Sequence, residues 1–248
     1  MTPKSLTGPG RLFGLGVGPG DPELMTVKAV RLLQQSPIVV YLAAKGKKGN
    51  ALAIVESYLR PEQATLPLIY PVTTEKLPAH LNYEKLVSDF YDASAIEVAA
   101  HLDAGRDVAV ICEGDPFFYG SFMHLYTRLI ETHPVQVVPA ITGMSGAWTV
   151  TGQPNTWGDD VLTVLMGTLP EARLARHMAD SEALVVMKIG RHIDKVRRAL
   201  ATAGRLDEAW LVEFATMPGQ KVVRLAQVEG RVTPYFSIVL VHGQGRRP

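Results

Sequence analysis

The apolar run Val108-Ala109-Val110-Ile111 leads directly into Cys112-Glu113-Gly114-Asp115-Pro116-Phe117-Phe118-Tyr119-Gly120-Ser121, and a helix-compatible stretch follows at 122–131. A short unbroken apolar run closed by turn residues reads as a strand buried on both faces. Such strands belong to parallel sheets covered by helices. An acidic loop bearing glycine and proline at the carboxyl end of a parallel strand is where open α/β sheets hold ligands.

The same alternation fills the chain. Strands are predicted at 12–17, 38–42, 66–70, 108–112 and 135–138, with intervening helices near 27–33, 51–59 and 82–103. Asp21 or Thr26 is placed to cap the first helix, and Gly105 to end the third. Pro139-Ala140-Ile141-Thr142-Gly143 reads as a hinge. Beyond it, strands are predicted at 161–166, 183–189, 210–214, 221–227 and 236–242, with helices at 171–178 and 192–203. The last two strands have no helix between them. The expected fold is therefore α/β, with a mostly parallel N-terminal domain over 1–139 and a mixed-sheet C-terminal domain over 140–248.

Composition narrows the function. A net charge of +1 offers no attraction to nucleic acid or an anionic membrane. The single cysteine, Cys112, rules out an intrachain disulfide and a cysteine zinc cluster, as is usual in cytoplasmic proteins. No apolar run is long enough to span a bilayer, and residues 1–11 lack the apolar centre of a signal peptide. A soluble, cytoplasmic protein is expected. His80, His101, His124, His133 and His177 show no metal-ligand spacing and are expected on surfaces or helix flanks, so no metal is predicted.

Gly14-x-Gly16-x-Gly18-x-Gly20 invites comparison with a dinucleotide fingerprint but fails it. The sixth position is Pro19 counted from Gly14 and Asp21 counted from Gly16. Pro19 removes a backbone N–H, and Asp21 would repel a phosphate. A loop that is acidic and poor in donors suits a cofactor with a cationic end, and S-adenosylmethionine fits. Each loop, taken alone, also serves as an ordinary strand-to-helix turn.

The motifs together resemble the tetrapyrrole methylases of the cobalamin and sirohaem pathways, over nearly the whole length. The family's Gly-x-Gly-Pro-Gly-Asp-Pro-x-x-Leu-Thr pattern appears over 16–26. Its Gly-Asp-Pro loop appears as Gly114-Asp115-Pro116, its linker as Pro139-Ala140-Ile141-Thr142, and a later motif as Val212-Glu213-Phe214-Ala215-Thr216. The form of 112–123, with Met187-Lys188-Ile189-Gly190-Arg191-His192 and Pro234-Tyr235-Phe236-Ser237, is similar to the subgroup acting on C20 of precorrin-2.

This resemblance implies a homodimer of two-domain chains with S-adenosylmethionine in a cleft between the domains, and S-adenosylhomocysteine as product. Implied donor contacts are Pro19, Glu113, Gly114, Asp115, Phe118, Thr142, Gly143, Met187, Lys188, Ala215, Tyr235, Phe236 and Ser237. The chain departs from the family pattern at Ala140 (usually glycine), Gly143 (commonly Ala or Ser) and Glu113 (commonly glycine). Ala140 bears most on the linker path and on the Thr142 and Gly143 contacts.

A polycarboxylate substrate calls for local cations. Lys45, Lys47 and Lys48 meet that need or form a solvated loop. Arg191 does so or merely opens a helix. Lys188, read as a charge ending an apolar strand, calls for a partner or a ligand. Tyr119 lines the substrate side or packs its loop, and Glu113 and Asp115 serve the cofactor or cap turns. No catalytic base is assigned. C20 is enamine-like, and catalysis is expected to rest on alignment and water exclusion. Alternatives are methylation of cobalt-factor II or another ring carbon, a tetrapyrrole carrier, and a nucleotide-dependent oxidoreductase.

Overall fold

The computed structural model describes residues 8–72 and 82–247. The chain forms two compact units, Met1–Thr142 and Gly143–Pro248.

The first unit runs β1 (Leu12–Gly16), α1 (Val27–Gln35), β2 (Ile38–Ala44), α2 (Asn50–Val55), β3 (Ala64–Tyr70), α3 (Tyr83–Asp103), β4 (Val108–Cys112), α4 (Phe122–Leu129) and β5 (Val135–Val138). Among the described residues its sheet has the order β3-β2-β4-β1-β5, with every pairing parallel. Period-two alternation sorts the strand side chains between two helical layers. Phe13, Leu15, Val39, Ala109 and Ile111 pack with Ala29 and Leu33 of α1 and Leu52 and Val55 of α2. Leu12, Val40, Val108 and Val110 pack with Val98 and Leu102 of α3 and Phe122 and Leu125 of α4. Burial on both faces explains why β1 and β4 carry no outward polar residue.

Local signals set the joints. Thr26 Oγ1 accepts from Ala29 N at 3.1 Å to cap α1, and Asn82 Oδ1 accepts from Lys85 N at 3.1 Å to cap α3. Asp21 caps instead the short 3-10 turn Pro22–Leu24. Gly14 is glycine because a Cβ there would lie 2.4 Å from the ring of Phe122. Pro67 is tolerated because β3 is an edge strand, paired only with β2.

The second unit runs α5 (Gly143–Val150), β6 (Leu162–Met166), α6 (Glu171–Ala179), β7 (Ala183–Met187), α7 (Ile193–Thr202), β8 (Trp210–Glu213), β9 (Lys221–Arg224) and β10 (Ser237–Val241). Among the described residues its sheet has the order β6-β7-β10-β8-β9; β6 and β7 are parallel and the other pairs antiparallel. The fold is thus α/β with one parallel and one mixed sheet. Leu174 and Met178 of α6 and Val196 and Leu200 of α7 cover one face, and Ala147 of α5 packs on Val185, Val212 and Leu240 of the other.

Departures from the sequence expectation include three with a local physical reason. Helix α5 stands where only a linker and loop were expected, because Gly143, Ser145 and Gly146 are poor helix formers. Buried Gly146 and Ala147 let it approach the sheet closely. The strand expected over 183–189 stops at Met187, since Lys188 turns to φ 52°. The strand expected over 221–227 ends at Arg224, and Leu225–Gln227 form a 3-10 turn.

Candidate active site

In the first unit β1 and β4 are hydrogen-bonded neighbours. The chain leaves β1 toward α1 in one layer and leaves β4 toward α4 in the other. Their exit loops therefore diverge at the carboxyl ends of the strands, the geometry that opens a ligand crevice in such sheets.

At their bases the two loops are zipped. Val17 N donates to Cys112 O at 2.9 Å, and Gly114 N donates to Gly18 O at 2.8 Å. Gly18 (φ 81°) and Gly114 (φ 64°) supply the left-handed turns this antiparallel bridge needs. A Cβ on Gly16 would lie 2.5 Å from Ala140 Cβ and 2.6 Å from Gly114 O, so the exits of β1, β4 and β5 converge on one point. Pro19, in the loop after β1, is also buried. Ala140 is absent from the positive-φ residues, so the linker path accepts alanine without strain.

Both acidic side chains of the second loop have partners in their own unit. Asp115 Oδ1 accepts from Phe117 N at 2.9 Å, and Oδ2 accepts from Ala140 N at 3.0 Å. Burial pushes the Glu113 carboxyl above its usual range, opposed by hydrogen bonds from its own N–H, from Ala51 N–H and from the Asn50 side chain. Glu113 thereby holds the start of α2 against the β4 exit. Residues 17–23 and 113–121 contain Asp21, Glu23, Glu113 and Asp115 but no lysine, arginine or histidine, and Pro19, Pro22 and Pro116 withhold three N–H groups. A stretch this rich in acceptors fits a cationic ligand and not a phosphate.

Apolar surface lies alongside. Phe117 (48% exposed), Tyr119 (46%) and Ile141 (37%) reach solvent around this edge. Phe118 is half-buried, its ring edge-on to Tyr119 at 4.9 Å. Ser121 Oγ lies 2.5 Å from the Tyr70 hydroxyl, which is 3.2 Å from that of Tyr91. This hydroxyl chain fastens the far end of the acidic loop to β3, a tie that the sequence reading missed. Lys45, Lys47 and Lys48 are exposed just beyond β2, at the same edge of the sheet. Lys48 Nζ is drawn to Glu56 at 2.5 Å. Cys112 is buried under the loop, and desolvation, with Glu113 nearby, pushes its thiol far up.

In the second unit β6, β7 and β8 point one way and β9 and β10 the other. The carboxyl ends of β7 and β8 and the start of β10 therefore share one sheet edge. Met187, Lys188, Ala215, Tyr235, Phe236 and Ser237 gather there. Gly143 joins them, since a Cβ on it would sit 3.6 Å from Ile238. The side-chain oxygen of Ser237 is buried with no hydrogen-bond partner. Lys188 is not the end of a buried strand, as the sequence suggested. It lies outside β7 and is exposed, so burial does not force a partner on it. Arg191 sits exposed in the 3-10 turn Gly190–His192 that leads into α7. Burial, then Lys195 and Arg191, hold His192 below its usual pKa.

Among the described residues, the non-glycines with positive φ are Tyr119 (56°), Lys188 (52°), Phe214 (51°) and Thr216 (64°). Each follows the carboxyl end of a strand. Left-handed backbone at such residues costs about 1–3 kcal/mol and concentrates where function fixes a loop. No residue type announces it in the sequence. Also unforeseen are the burial of Glu213, 2% exposed at the end of β8, and its bond to Arg231 Nη1 at 2.7 Å.

His80 lies outside the described residues. Among the described residues no three His, Cys, Asp or Glu side chains are grouped to hold a metal, and no helix is long and apolar enough to cross a membrane. His133, expected on a surface or a helix flank, lies just past the end of α4, its side chain 7% exposed and Nε2 3.0 Å from Asp103.

With this geometry in place, the sequence match over residues 11–229 shows that the chain belongs to the Tetrapyrrole (Corrin/Porphyrin) Methylases. It is 54% identical over 241 residues to a precorrin-2 C(20)-methyltransferase of Sinorhizobium sp, covering 97% of this chain and 98% of that one. It is 30% identical to a cobalt-precorrin-2 C(20)-methyltransferase of Salmonella typhimurium, covering 95% and 97%. The uroporphyrin-III C-methyltransferase of Thermus thermophilus, solved with S-adenosylhomocysteine, superposes with a TM-score of 0.63 at 25% identity, covering 94% of this chain and 97% of that one.

Proposed function

We propose that this chain is a precorrin-2 C20-methyltransferase. C20 of precorrin-2 takes the methyl group as the carbon–sulfur bond of S-adenosylmethionine breaks, and the proton C20 carried then leaves to a weak base, giving precorrin-3A and S-adenosylhomocysteine in cobalamin biosynthesis. The observation that carries this reading is the 54% identity to a C20-methyltransferase over nearly the full length of both chains.

The donor's chemistry agrees with the first unit. Bound S-adenosylmethionine supplies an electrophilic methyl carbon on a cationic sulfur. The exits of β1 and β4 offer carbonyls and carboxylates with no competing cation. We assign donor contacts there to Pro19, Gly114, Asp115, Phe118 and Thr142. The Glu113 carboxyl, occupied at the start of α2, shapes the loop. In the second unit we assign Gly143, Met187, Lys188, Ala215 and Tyr235, Phe236 and Ser237.

Carboxylates of the tetrapyrrole are assigned to Lys45, Lys47, Lys188 and Arg191, with Lys48 held partly by Glu56, and the macrocycle edge to Tyr119. C20 is conjugated with pyrrole nitrogens and is already nucleophilic. The residues therefore need to align it with the methyl carbon and exclude water, and orientation of this kind can supply about 7–11 kcal/mol of a barrier. A homodimeric state and a cytoplasmic location belong to the same proposal; light scattering tests the first.

The deciding experiment is NMR of the product made from precorrin-2 and carbon-13 methyl donor. The label is expected on C20, and label on any other ring carbon overturns the reading. Parallel assays with the cobalt complex separate the metal-free substrate from that of the Salmonella relative. Faster turnover of metal-free precorrin-2 is expected.

A further inference from the structure

Glu213 is the one charged side chain among the described residues that is fully buried. It ends β8, in register with Ser237 of β10 and Lys221 of β9. Arg231 Nη1 donates to its Oε1 at 2.7 Å, with the arginine side chain 43% exposed and the glutamate side chain 3%. A buried ion pair is a poor route to stability, because desolvation offsets most of the attraction and apolar replacements often do as well. Its usefulness lies in direction.

The pair fixes the segment that crosses from β9 to β10, residues 225–236. Arg197 of α7 donates to Leu225 O at 3.1 Å and pairs with Glu229 at 3.0 Å, which holds the upstream end. Downstream, Thr233 Oγ1 donates to Gly190 O at 3.2 Å, joining the crossing to the exit of β7. Arg231 lies between these anchors and joins the crossing to the exit of β8. Immediately after Glu213 the chain turns left-handed at Phe214, whose N donates to Phe236 O at 2.8 Å. The crossing carries Val232 (70% exposed) and Tyr235 (76% exposed), for which burial offers little hold. Upstream, Leu225 and Val228 are anchored in the core, and beyond them polar ties carry most of the hold.

We propose that the Arg231–Glu213 ion pair is a positioning latch for methyl-donor binding, holding the crossing so that Tyr235, Phe236 and Ser237 are presented to the donor. This rests on the methyltransferase reading above. Arg231 acts through the segment and is a positioning residue, not a catalytic one.

The test compares wild type, Arg231→Met, Arg231→Lys and the apolar pair Glu213→Leu/Arg231→Met. S-adenosylhomocysteine affinity is measured by calorimetry, and KM is measured separately for donor and tetrapyrrole. Arg231→Met is expected to weaken S-adenosylhomocysteine about tenfold and raise donor KM alike, with tetrapyrrole KM and kcat within about twofold. Arg231→Lys should recover most of the loss. The apolar pair removes the buried charge as well as the latch, so it should fold and still bind the donor weakly. Unchanged donor affinity in either Met-bearing variant, or an equal rise in both KM values, overturns the latch. Failure of the wild type to bind S-adenosylhomocysteine overturns the methyltransferase reading itself.

Discussion

The Asp115 carboxylate bonds Phe117 N with one oxygen and Ala140 N with the other, at 2.9 and 3.0 Å. A single side chain thereby shapes the turn after β4 and fastens it to the segment leaving β5. Asparagine has one acceptor oxygen, so Asp115→Asn leaves one of these N–H groups facing another donor. The expected cost is about 1–3 kcal/mol. At this chain length each kcal/mol lowers Tm by about 2–4 °C, which calorimetry will read.

Gly16 sits where three loop bases meet. A methyl group there would press on Ala140 Cβ and Gly114 O. Both contacts involve parts of the chain that cannot swing aside, so Gly16→Ala must spread the exits of β1, β4 and β5. Donor affinity is expected to fall more than about tenfold, measured by titration with S-adenosylhomocysteine. Retained affinity would show that these loops do not shape the donor site.

His242 gives the second unit a pH dependence. Its ring is buried, with Nε2 3.1 Å from Thr151 Oγ1. Burial lowers its pKa from 6.5, a contact with the Pro154 backbone raises it, and Arg224 lowers it further. The folded value therefore lies below the unfolded one, and acid protonates the unfolded chain first. This group's contribution is intact above pH 6.5 and is lost as pH falls below 6.5 toward the depressed folded value. His242→Gln keeps a hydrogen-bonding group but does not titrate. Urea unfolding at several pH values should show a flatter decline over that range in the variant than in the wild type.

The parts of the fold legible beforehand were those with a strong local signature. Both β1 and β4 are unbroken apolar runs closed by glycine and proline, which mark a buried strand and its exit. The mixed second sheet could be read from the missing helix between 227 and 236. Helix α5 stayed hidden because its glycines serve close packing, not helix propensity. The strand end at Met187 was missed because Ile189 is also buried and prolongs the apolar pattern past the turn at Lys188. Arg231 meets Glu213 across an 18-residue separation that no local period marks. The Asp115 bond to Ala140 has the same cause, since tertiary contact chooses the partner.

Cys112 is the chain's sole cysteine, sealed under the acidic loop with its thiol held strongly protonated. Maleimides and other thiolate-seeking reagents will pass the native protein by near neutral pH. A cysteine engineered into an exposed position away from the assigned contacts, such as Ile96 of α3, would then be the single labelling handle. A fluorophore or spin label could be placed there without first deleting a native residue.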